Sequence, residues 1–186
     1  MNNILLAQSK LKKTEIAKEF KEKTNDFVSK INTLSDQDFE KFINNKWSPG
    51  QQLEHIYLST KPIEQVYLLP KFLLNIFFGK PKRPSKSYNE VVTDYQKTLD
   101  NGGTAPSKFT PKQIGIDKKE RLIKQLNNTV DKLIDKLNQK SEEDLDTIFI
   151  PHPLLGKITL RELYYFTIYH ISHHHKKIEE NLTKLQ

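Results

Sequence analysis

Apolar residues recur at intervals of three and four through four stretches of the chain, and each stretch predicts an amphipathic helix. In the first, from about residue 10 to 33, Ile16, Phe20, Phe27 and Ile31 keep one face, while the positions between them are nearly all Lys, Glu, Asn or Ser. Ser35 then offers an N-cap for a short turn, and Asn44, Asn45 and Lys46 break the pattern. The second long helix starts at Ser48, whose hydroxyl can cap it; Pro49 suits the first helical position and Gln51 completes a capping box. It carries Leu53, His55, Ile56, Leu58, Ile63 and Val66, and Pro62 is expected to kink it or end its first half, because the ring displaces a backbone hydrogen bond. The third follows from Leu122, Leu126, Val130, Leu133, Ile134 and Leu137, and Ser141 opens another short turn after it. The last begins at a second capping box, Thr159 with Glu162, and runs to about Leu182.

The segments between these helices are irregular. Residues 79–116 are rich in proline and glycine and read as a long loop with one helix at about Tyr88 to Leu99; such an excursion from a compact domain often serves as a lid or a wall. Ile148 to Gly156 is apolar and bounded by prolines, so it cannot be helical throughout, and no segment shows the sustained alternation of a strand. The expectation is an all-α fold, a four-helix bundle with long connecting loops and short extra helices, in one domain spanning the 186 residues. Bundles place metal and ligand sites between facing helices.

The most apolar segment, Leu68 to Phe78, is interrupted by Pro70, Lys71 and Asn75 and is far shorter than the ~20 residues that span a bilayer. Met1 to Ala7 lacks the positive flank of a secretory signal. A soluble, cytoplasmic protein without a membrane partner is therefore expected. Phe72 to Phe78 is more hydrophobic than a surface loop, which predicts packing over the open end of the bundle or a homodimer contact.

The formal charge of +7, from 30 Lys+Arg against 23 Asp+Glu, first suggests an acidic partner. The distribution argues otherwise: lysines alternate with acids along helices, as in Lys18 to Lys23, which is the pattern of a solvated face. No helix-turn-helix, stacking-aromatic motif or arginine cluster is visible, so nucleic acid is not an expected partner. The one basic run, Lys80 to Lys86, is broken by prolines and reads as a surface connection.

Composition narrows the chemistry more than charge does. Cysteine is absent, which excludes disulfides, thiolate-bound metal and a catalytic thiol. Of the six histidines, four lie within residues 170–175. At about 100° per residue, His170 and His174 fall about 20° either side of Leu163, in the middle of the inward stripe of the last helix. His173 lies about 80° off on the flank and His175 about 120° off, outside the stripe. Two imidazoles four apart on one face can share an ion; a third is required, and His55, among Leu53, Ile56 and Leu58, is the natural candidate. Three neutral imidazoles would leave positions for water, an open geometry. The competing reading is that each ring is a core histidine bonded to a backbone carbonyl, and spacing alone leaves the two even. His173 is placed either to orient a ligand from behind or simply on an exposed flank. His152 and His175 read as structural or surface residues, and Glu54 and Glu162 as adjacent to the inward faces rather than on them.

Three stretches carry a family resemblance. Trp47-Ser48-Pro49-Gly50-Gln51-Gln52-Leu53-Glu54-His55, His152-Pro-Leu-Leu-Gly-Lys-Ile-Thr-Leu-Arg-Glu162 and Tyr169-His170-Ile-Ser-His173-His174 resemble, in order and spacing, motifs of the DinB-like superfamily. These are helical-bundle proteins that include metal-dependent hydrolases and bacillithiol- or mycothiol-dependent S-transferases. The resemblance implies a zinc or nickel ion on His55, His170 and His174. It also implies a thiol (S-transfer) or a water (hydrolysis) activated against a small electrophilic substrate, with a low-molecular-weight thiol as co-substrate in the first case. Where members often follow the last histidine with Arg-Gly-Gln, this chain has His175-Lys176-Lys177. A second expectation, of another class, is a non-catalytic bundle that binds a small molecule or protein partner and keeps the histidines as a vestige.

Overall fold

The computed structural model describes residues 10–42 and 46–183. The expectations for Met1 to Ala7 and for the break at Asn44 and Asn45 lie outside them. The elements in chain order are α1 (Lys13–Asn32), α2 (Asp36–Glu40), α3 (Pro49–Thr60), α4 (Ile63–Val66), α5 (Lys71–Phe78) and α6 (Tyr88–Asp100). Two 3₁₀ turns, Ser107–Phe109 and Ile116–Lys118, lead into α7 (Lys119–Asn138), α8 (Glu142–Thr147), β1 (Phe149–His152), β2 (Gly156–Thr159) and α9 (Leu160–Thr183).

The four long helices close a ring in which α1 packs on α7, α7 on α3, α3 on α9 and α9 on α1. The stripes that predict the helices meet along its axis: Ile16, Phe20, Phe27 and Ile31 of α1, Leu126, Val130, Leu133 and Leu137 of α7, and Leu53 and Ile56 of α3 are all fully buried. Burying a leucine, isoleucine or phenylalanine side chain contributes ~1.5–3 kcal/mol, so this axis is the main source of stability. Both capping boxes form. Ser48 Oγ accepts from Gln51 N at 3.2 Å while Gln51 Oε1 accepts from Ser48 N at 3.0 Å, and Thr159 with Glu162 repeats the arrangement. Pro62 ends the second helix as expected, since α3 stops at Thr60 and only the single turn α4 follows. At the start of α3, a Cβ on Gly50 would lie 2.8 Å from the Phe39 ring, so glycine is what allows α2 to sit against it.

Two departures from the sequence reading shape the functional end of the bundle. The connection before the last helix is a β-hairpin, with Phe149 paired to Thr159, Ile150 to Ile158 and His152 to Gly156. Its strands have only four residues each, too few to show alternation, and in a two-stranded ribbon both strands are edges, which tolerate Pro151. Gly156 takes φ +69°, a conformation other residues rarely adopt, and so turns the chain. The 79–116 excursion is a wall: α6 packs on the outside of α9 and buries Val91 and Tyr95. The basic run is more than a surface connection, because Arg83 reaches Glu162 through two bonds of 2.5 and 2.9 Å, and Lys86 N adds a third at 2.6 Å. Glu162, read from the sequence as lying beside the inward face, is completely buried by this clasp.

The apolar segment forms α5, which packs on β1. Leu74 is buried, whereas Phe72, Ile76 and Phe77 remain more than half exposed, together with Leu68. No helix among the described residues is long and apolar enough to cross a membrane.

Candidate metal centre

Helices α3 and α9 face each other, and their histidines meet between them. His55, His170 and His174 are each under 8% exposed, and one nitrogen of each lies within 4.8 Å of the other two. His170 Nε2 is 3.1 Å from both His55 Nε2 and His174 Nε2. Two imidazoles sharing a tetrahedral zinc at ~2.0–2.1 Å stand about 3.3 Å apart, so the spacing of the trio is that of a ligand set.

The outer nitrogens explain why the inner ones converge. His55 Nδ1 lies 2.7 Å from the Phe109 carbonyl oxygen, an acceptor that requires the proton on Nδ1. His174 Nδ1 bonds Gln52 Oε1, and His170 Nδ1 is 3.5 Å from Ser59 Oγ, whose own hydroxyl donates to the Ile56 carbonyl. The Nδ1 protons of His55 and His174 are thus fixed by oxygen acceptors, and the Nε2 atoms of those two rings turn lone pairs toward His170 Nε2. Two lone pairs, each 3.1 Å from His170 Nε2, call for a positive charge or a shared proton between the rings, and a divalent ion is an occupant that this donor set fits. Burial lowers the pKa of all three rings, of His170 and His174 well below the ordinary imidazole value; neighbouring histidines push the same way, while the Phe109 bond partly offsets it at His55. Neutral imidazole is the form that ligates.

Of the other candidates, His173 packs edge-on against His174, ring centroids 5.3 Å apart, and makes no hydrogen bond to the trio among the described residues. The groups that the outer nitrogens of the trio reach are Gln52, Ser59 and the Phe109 main chain. Gln52 and Ser59 sit three before and four after His55, on the same helix face, and that spacing is visible in the sequence. A backbone carbonyl 54 positions from its histidine is not. Trp47 covers two of the three rings, 4.8 Å from that of His55 and stacked at 6.2 Å on that of His174. His175 is turned outward, 3.6 Å from Glu179 and in edge contact with Phe27. Glu54 accepts from Lys112 N at 3.2 Å and takes no part in the cluster.

A cleft of about 380 Å³ opens onto His55 and His170. Its walls come from the end of α3, from α4, α5 and α6, from the segment around Phe109, and from the hairpin, with Phe166 and Leu163 of α9 as the floor. His152, read from the sequence as a structural or surface residue, is part of this wall. Its ring sits against Phe166 at 4.2 Å, and burial lowers its pKa to about 4.

Comparison with known proteins agrees with this architecture. No curated protein matches the chain. A crystal structure of an uncharacterized protein from Clostridium difficile 630 superposes with a TM-score of 0.53 at 10% identity, covering 93% of this chain and 96% of that one. A crystal structure of a protein from Streptococcus pneumoniae gives 0.54 at 11%, covering 96% and 94%. At such identities the likeness shows the fold alone. The DinB superfamily model, however, matches residues 19–178, from the middle of α1 to the last turns of α9 and across all three histidines. By that match, over nearly the whole bundle, the chain belongs to the DinB superfamily.

Proposed function

We propose that the chain is a divalent-metal-dependent enzyme whose ion, zinc or nickel, is held by His55, His170 and His174 beside an apolar substrate cleft. The observation that carries this reading is the convergence of three Nε2 atoms, with the Nδ1 protons of His55 and His174 committed to Phe109 and Gln52. A bound ion would supply Lewis acidity, lowering the pKa of a water or thiol so that it is nucleophilic near neutral pH. The chain's own residues hold His55 and His174 in the Nδ1–H tautomer, and Trp47 screens both. The cleft walls hold the electrophile next to His55 and His170 while limiting water.

Of the two reactions the family suggests, S-transfer is the one we favour, as in its bacillithiol- and mycothiol-dependent members. With no cysteine in the chain, the thiol comes from a co-substrate. Incubation with low-molecular-weight thiols and 1-chloro-2,4-dinitrobenzene should give conjugate only in the metal-loaded protein. Hydrolysis of 4-nitrophenyl acetate without conjugate would identify a hydrolase, and neither reaction in loaded protein would refute an enzyme of this type.

One observation favours a second, non-catalytic reading. His170 Nε2 is equidistant from its two neighbours, so a proton there could be shared between them and close the cluster without an ion, provided Ser59 turns its hydroxyl toward Nδ1. That arrangement predicts a protein that folds identically with and without metal and never binds it stoichiometrically.

A further inference from the structure

The cleft beside the trio has few polar groups that are free. Thr167 Oγ donates to the Leu163 carbonyl at 2.7 Å and Ser59 Oγ to Ile56, so both hydroxyl protons are used within their own helices. Lys108 is exposed at the rim, with its ammonium 4.8 Å over the Phe109 ring. What remains is aliphatic and aromatic surface, the exposed Gln65 side chain, the Tyr95 hydroxyl, and His152.

His152 differs from the three clustered rings in how it is held. Its Nδ1 accepts from two main-chain donors in the hairpin turn, Leu154 N at 3.3 Å and Leu155 N at 3.2 Å. An Nδ1 that accepts twice carries no proton, so the neutral ring is the Nε2–H tautomer. Among the described residues that Nε2–H has no acceptor, although the ring is half-buried and lines the cleft. A donor fixed by the backbone, aligned against Phe166 one turn before His170, and left without a partner is arranged for a ligand's acceptor. Its low pKa keeps it a neutral donor, which has no attraction for a carboxylate or phosphate beyond a single hydrogen bond.

We propose that the cleft selects a predominantly apolar small molecule bearing one uncharged hydrogen-bond-accepting oxygen, such as a ketone, ester or epoxide, and that His152 recognises this oxygen through Nε2–H. The inference rests on the cleft being the substrate site of the enzyme proposed above. A volume of about 380 Å³ is at the small end of the ~300–1,000 Å³ of small-molecule sites, and it has room for a fused pair of aromatic rings with a short substituent.

The test uses two probes of nearly equal shape, 2-acetylnaphthalene and 2-ethylnaphthalene, titrated into full-length protein with metal and after chelation. The ketone should bind about two- to twelvefold more tightly than the hydrocarbon, as one net hydrogen bond implies. His152→Asn leaves a side-chain oxygen for Leu154 N and Leu155 N but nothing at the Nε2 position, and it should abolish the preference without weakening the hydrocarbon. Equal binding of the two probes, a preference that survives in His152→Asn, or binding of neither probe would overturn the proposal. The carbonyl stretch of the bound ketone gives a readout on wild-type protein alone: it should lie below its value in hexane, and an unshifted band would be equally fatal. Because the preference must persist in His174→Ala, a residue outside the cleft wall, failure of the metal reading and failure of this one are distinguishable.

Discussion

Replacing Gln52 by leucine isolates the group that fixes one candidate ligand, His174. Gln52 is 4% exposed, and its Oε1 is the acceptor for His174 Nδ1, while its amide nitrogen reaches the Trp47 carbonyl at only 3.5 Å. In Gln52→Leu the buried Nδ1–H of His174 has no partner, at a cost of ~1–3 kcal/mol. The ring escapes this cost by moving its proton to Nε2, where it can donate to His170 Nε2, 3.1 Å away, and then offers no lone pair to an ion. Binding the metal must restore the unpartnered tautomer, so affinity should fall by ~10–100-fold, about 1.4–2.7 kcal/mol. Ser59→Ala removes a contact already at 3.5 Å and should cost less than about threefold; Gln52→Glu keeps an acceptor and should bind at least as tightly as wild type. Competition against a chromophoric chelator at pH 7 measures all three, with thermal denaturation to confirm that each variant is folded. If Gln52→Leu binds within about twofold of wild type, or if Ser59→Ala is the more damaging change, the tautomer argument is wrong.

Away from the site, Arg161 is 1% exposed and joins Asp146 (2.7 Å), Glu142 (2.6 Å) and the Leu11 carbonyl (2.5 Å), so Arg161→Met should destabilise the fold by ~3–5 kcal/mol in urea unfolding. Burial alone would raise the Asp146 carboxyl, but bonds from Arg161, Lys10 and Ser85 outweigh it and hold the pKa at about 2. A depressed carboxylate pKa stabilises fully above its unfolded value and progressively less as pH falls through the folded one. Urea stability should therefore drop by about 2 kcal/mol from this group between pH 5 and pH 2, and Asp146→Asn should flatten that slope. Gly50→Ala, ordinarily favourable inside a helix, should instead lower the melting temperature, because the added Cβ meets the Phe39 ring at 2.8 Å; an increase would show that the ring yields freely.

Periodicity carried the bundle. The three- and four-residue spacing that buries Phe20, Leu126 and Ile171 also set His170 and His174 on the inward stripe, so the same arithmetic located helices and candidate ligands. Local chemistry marked the helix ends at Ser48, Pro62 and Thr159, where cap or ring acts within a few residues. What stayed hidden depends on contacts between distant, non-periodic positions. Arg83 and Glu162 are 79 residues apart, and nothing in a proline-broken basic run signals that one of its arginines clasps the last helix. The Phe109 carbonyl that orients His55 is main chain and leaves no residue-type signature. His152 looked like a bystander because its role depends on a hairpin too short to alternate and a turn whose amides select its tautomer.

The central claim is that the trio holds an ion, and metal analysis of tag-free protein tests it most directly. Purified protein, or protein reconstituted with zinc or nickel, should carry about one divalent ion per chain. His174→Ala, folded by circular dichroism, should carry none. Wild-type protein that contains no stoichiometric metal and takes up none on reconstitution would contradict the account.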